Sequence, residues 1–142
     1  MSSADLQKLK EELVRAGLEI YRTRPQEIQV AERVRLHIMD SGIRVRVGPS
    51  ISVVFTARSQ RSDFPSHQPD ELFGKVRESV GKHALSRGYH EEGHQSVDVR
   101  DPVDAERILD TWHEVTYAKD ADAAEVVDEV RWALAIDKFV TR

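Results

Sequence analysis

Strict alternation of apolar and polar residues marks one stretch of this chain more clearly than any other. Ile43-Arg44-Val45-Arg46-Val47 puts an apolar side chain at every second position. Ile51-Ser52-Val53-Val54-Phe55-Thr56-Ala57-Arg58 repeats the pattern after Gly48-Pro49-Ser50. A period of two marks a half-buried strand, and Gly-Pro-Ser is turn chemistry, so residues 43–58 are expected to form a β-hairpin.

Helical periods flank it. Leu6, Leu9 and Leu13 predict a helix over 4–16, with Ser3 as its N-cap and Gly17 as its stop. Pro69 opens a second helix, with Asp70 and Glu71 in its first turn; Phe73, Val76, Val80 and Ala84 form its stripe and Gly88 ends it. A last helix is expected from about Ala121 to Val140. Short strands are expected near 18–23, 95–100 and 112–119, and a short helical excursion at 101–104.

Residues 25–41 fit two patterns. As a helix, Pro25 starts it, Gly42 closes it, and Ala31, Glu32, Arg33, Leu36 and Met39 favour it. As a strand, Ile28, Val30, Val34, Leu36 and Ile38 alternate and Asp40-Ser41-Gly42 becomes a turn. The composition tips the expectation toward helix. The fold expected is a single α+β domain over 1–142: a small antiparallel sheet of four or five strands packed against three or four helices. With 33–39 as strand, the order becomes helix, meander, helix, strand pair, helix, which resembles in architecture the layout of small acidic secretion chaperones.

Composition narrows the chemistry. The chain has no cysteine, which excludes disulfides and thiolate metal sites. It shows no signal-like apolar run at its start and nothing near the ~20 apolar residues of a membrane span, so a cytoplasmic location is expected. The net charge of −4 is uneven. Residues 1–62 carry 11 Lys/Arg against 7 Asp/Glu, and residues 63–142 carry 10 against 18. Surfaces of opposite sign suit docking, including docking onto a second copy as a homodimer.

Alternation places Arg44 and Arg46 on the outward side of the first hairpin strand and Arg58 on that of the second, with Arg61 in the loop that follows. Guanidinium forks match carboxylates and phosphates in bidentate geometry. The expected function is therefore a non-enzymatic interaction module that docks an anionic partner segment through Arg44, Arg46, Arg58 and Arg61, with no cofactor. Nucleic acid fits poorly, since the outward strand positions carry no stacking aromatics.

Residues 90–94, His-Glu-Glu-Gly-His, spell the H-E-x-x-H of zinc peptidases. That chemistry needs a helix, so that His90 and His94 reach one metal while Glu91 serves as base. Gly88 just before the motif and Gly93 inside it point instead to a loop. A metal-dependent hydrolase built on His90 and His94 stands as the alternative function, alongside a small anionic-ligand binder. Asp110, His113 and Glu114 hold acid–base groups close together, but strand alternation sends His113 and Glu114 to opposite faces.

Overall fold

The computed structural model describes residues 3–142, with side chains from Asp5 onward; the side chain of Ser3, the expected N-cap, lies outside the described residues. In chain order the elements are α1 (Ser3–Arg15), β1 (Ile20–Arg24), β2 (Glu27–Val34), β3 (His37–Val47), β4 (Ile51–Gln60), α2 (Pro69–Val76), a π turn (Arg77–Gly81), α3 (Lys82–Ser86), β5 (His90–Arg100), β6 (Ile108–Asp120), α4 (Val126–Ala135) and β7 (Phe139–Val140). The strands form an antiparallel sheet in the order β1-β2-β3-β4-β6-β5, with the two-residue β7 beside β4 in parallel.

The fold is therefore α+β, but the expected sheet of four or five strands is too small: among the described residues there are seven. Residues 25–41 account for much of the difference. They form β2 and the start of β3, joined by Arg35 and Leu36, and not a helix. Helix propensity is a weak prior, and pairing of β2 with both β1 and β3 overrides it. The last helix is also shorter than expected. Ile136 turns extended at ψ 151°, freeing Phe139 and Val140 to pair with Arg58 and Ser59. The expected excursion at 101–104 is an Asx turn, in which the Asp101 carboxylate accepts from the Val103 N–H at 2.8 Å.

The chain divides into two compact units. The first runs to Phe55 and includes 118–136; the second comprises 56–117 and 137–142. In the first, Leu9 and Leu13 of α1, Ile28 and Val30 of β2, Ile43 and Val45 of β3, Val53 and Phe55 of β4, and Val126 and Val130 of α4 are all buried. The ring of Trp132 meets Phe55 edge-on at 5.8 Å. Gly17 takes φ +88°, the left-handed conformation that ends α1.

In the second unit, Leu72, Phe73, Val76, Val80 and Ala84 form the buried stripe of the helical run 69–86, with Val115 and Tyr117 of β6. Gln68 and Glu71 make a reciprocal capping box at its start. A Cβ on Gly81, within the π turn, would stand 2.5 Å from the Tyr117 hydroxyl oxygen, so the close approach there requires glycine.

Candidate protein-interaction surface

Within the first unit, β2 and β3 outrun the rest of the sheet. The β1–β2 register ends at Val30, with one further bond from the Ala31 N–H to the Glu19 carbonyl at 2.9 Å, and β3 pairs with β4 only from Ile43 onward. Beyond those limits residues 31–40 form a two-stranded ribbon, with Ala31 opposite Asp40, Glu32 opposite Met39, Arg33 opposite Ile38 and Val34 opposite His37. The ribbon begins at a β-bulge in which Ser41 and Gly42 have no partner across the strand. The Ser41 hydroxyl donates to the Val30 carbonyl at 2.6 Å and accepts from the Ile43 N–H at 3.1 Å. Gly42, at φ +77°, donates its N–H to the Asp40 carboxylate at 2.9 Å. Bulges of this kind bend a strand and increase its local twist.

Every residue from Arg33 to Asp40 is exposed. Four of them are large and apolar: Val34 at 43%, Leu36 at 93%, Ile38 at 51% and Met39 at 49% exposure. Arg35 sits at φ +58°, a conformation that costs a non-glycine residue on the order of 1–2 kcal/mol. Arg33 pairs with Glu19, whereas Arg35 has no ionic partner among the described residues. The tip thus presents a cation beside Leu36. Composition alone concealed these residues, but the alternation of Val34, Leu36 and Ile38 with Arg33, Arg35 and His37 was the signal for them.

The expected arginines fall in both units. Arg44 and Arg46 share the face of β3 opposite Ile43, Val45 and Val47, and lie across from Val54 and Ser52 of β4. Arg44 already meets Glu27 at 3.5 Å. Arg58 and Arg61 belong to the second unit. The Arg58 guanidinium lies 3.5 Å from the Trp112 ring centroid and 4.3 Å from that of Phe139. Burial lowers its pKa, against the pull of Glu114 and Asp110. Its planar cation is committed to stacking within the unit. Arg61 is exposed and opens a short 3-10 turn, Arg61–Asp63, just after β4, close enough for its charge to bear on Asp110 and His113.

The H-E-x-x-H letters lie on β5, where a loop was expected. Four residues along a strand span about 13 Å, too far for His90 and His94 to grip one ion. Glu91 is held by Arg77 at 2.7 and 3.0 Å, and this hydrogen bonding pushes its pKa down. His94 stands edge-on to Phe73 at 4.9 Å. Among the described residues no group of three His, Asp or Glu is placed to hold a metal. His113 and Glu114 do point apart. His113 is buried, edge-on to Phe73 and bonded to Ser96 at 2.8 Å, while Glu114 accepts from Gln95 at 3.1 Å. Burial, then the charge of Arg61, lowers the His113 pKa, with Asp110 and Asp98 opposing. Asp110 accepts from the Ser62 hydroxyl and N–H and from the Thr111 N–H; burial works against its charge, but these bonds and Arg61 together lower its pKa.

A shallow groove of about 450 Å³ opens elsewhere in the first unit, lined by Ser50, Ile51 and residues 120–123 with Glu125. Its shape is set by the Ala121 N–H bonding to the Ile51 carbonyl at 2.9 Å. Ile51, Ala121 and Ala123 supply apolar surface; Asp120, Asp122 and Glu125 supply negative charge, and no cation lines it. No helix among the described residues is long and apolar enough to cross a membrane. No protein-family model matches this chain, and no curated protein or solved structure is detectably similar to it.

Proposed function

We propose that this chain is a non-enzymatic protein-interaction module whose contact element is the ribbon of residues 31–40. One observation carries the reading: a run of exposed residues that includes Val34, Leu36, Ile38 and Met39, which among the described residues pair with no strand outside the ribbon itself. Two-stranded ribbons are marginal alone, and contiguous exposed apolar side chains mark sites of association. Arg35 at the tip, with Arg44 and Arg46 further along β3, favours a partner surface that is acidic around an apolar centre.

A photocrosslinking amino acid at position 36 tests this in the native lysate, with position 85 as control, since Leu85 is also exposed but lies on α3. The expected outcome is a discrete crosslinked band from position 36 and none from 85. A position 36 that stays silent, or that labels no more selectively than 85, refutes the reading.

A further inference from the structure

Resting on that reading, we infer that the surface receiving the ribbon is the acidic groove around Ile51, Ala121 and Glu125 on a second copy of this chain. The two surfaces are complementary in kind. Leu36 is an almost fully exposed apolar side chain at 93%, next to Arg35, a cation with no ionic partner among the described residues. The groove has an apolar floor rimmed by Asp120, Asp122 and Glu125. Asp120 accepts from Ser52 at 2.8 Å, and Asp122 caps the Glu125 N–H at 3.0 Å, so two of the three acids are held in place. Among the described residues no cation pairs with the Glu125 carboxylate, which leaves it for the incoming guanidinium.

Intramolecular closure is excluded by length. The ribbon tip precedes β3, and the groove lies past its far end, where Val47 pairs with Ile51. Eleven residues of strand separate the two by roughly 30 Å. A tip and a groove at opposite ends of one strand can meet each other only between copies. Two copies lying antiparallel satisfy both contacts at once and close the assembly; a head-to-tail arrangement leaves one of each open.

The experiment is sedimentation velocity on the full chain across a micromolar concentration series, with Leu36→Asp, Arg35→Glu, Glu125→Arg and the double variant Arg35→Glu/Glu125→Arg. Circular dichroism and thermal midpoint establish folding of each. The expected result is reversible self-association of the native chain. Each single variant weakens it by about tenfold or more, and the double charge swap recovers most of the loss. A native chain that stays monomeric throughout overturns the inference, as does association indifferent to Leu36→Asp. That variant touches only the exposed tip, which keeps the test valid if a groove variant fails to fold. Crosslinks from position 36 separate this inference from the reading beneath it. Peptides from 120–125 of another copy support both. A different protein as sole product overturns self-docking and leaves the interaction module standing. Silence at position 36 removes both.

Discussion

Two hairpins of this molecule end in opposite ways. The turn between β5 and β6 is tied down by its own polar groups: Arg100 donates to the Ala105 carbonyl at 2.9 Å and lies 3.7 Å from Asp98, and Arg107 lies 3.8 Å from Asp101. Among the described residues, the turn between β2 and β3 has no such lacing at its tip. Its polar anchoring sits at the root, on Ser41 and Gly42, while Arg35 occupies a strained conformation beside exposed Leu36. One hairpin satisfies itself. The other is rigid at the base and unsatisfied at the end, which is the arrangement expected of an element that contacts something else.

The sharpest way to break this comparison uses one residue type on one strand. Ile43→Ala, at the buried root, should destabilise the chain by about 2–4 kcal/mol in urea denaturation, whereas Ile38→Ala, half exposed on the ribbon, should cost under about 0.5 kcal/mol. Equal costs would mean that the ribbon is packed. Next in size, Ser41→Ala removes the hydroxyl that bridges Val30 and Ile43, and should cost about 1–2 kcal/mol with faster amide exchange confined to the ribbon.

A smaller effect separates the units by pH. The folded pKa of His113 lies below its ordinary 6.5, so the unfolded chain binds the extra proton first. Its contribution is fully present above about pH 6.5 and is lost as pH falls below that value. The thermal midpoint should therefore drop on acidification below pH 6.5, and His113→Gln should flatten that part of the profile. Asp110 acts in a lower window, since its lowered pKa gives stability present above its ordinary 3.8 and lost as pH falls below it. The smallest effect is at the laced turn. Arg100→Ala should cost under about 1 kcal/mol, because its ion pair is exposed.

The legible parts of the sequence were those where burial enforces a period. The hairpin at 43–58 alternates because Ile43, Val45, Val53 and Phe55 must face the core, and the helix after Pro69 announces itself by its cap and stripe. The ribbon was harder because nothing buries it. Its helix-favouring residues gave a local preference that only strand pairing overrules. β5 was missed at His90–His94 for a related reason: an edge strand that is polar on both sides carries no hydrophobic alternation to detect. The expected arginine face was sound as parity for Arg44 and Arg46, but alternation could not show that Trp112 and Phe139 would sandwich Arg58.

The bulge at Ser41 and Gly42 makes the ribbon detachable. Val30 and Ile43 already face each other as the last regular pair below it, so an Asn-Gly turn replacing residues 31–42 would close the meander where it is buried. Such a shortened chain should keep its scaffold and lose its grip. The same seam would accept a transplanted loop, which makes this fold a handle for presenting foreign sequences.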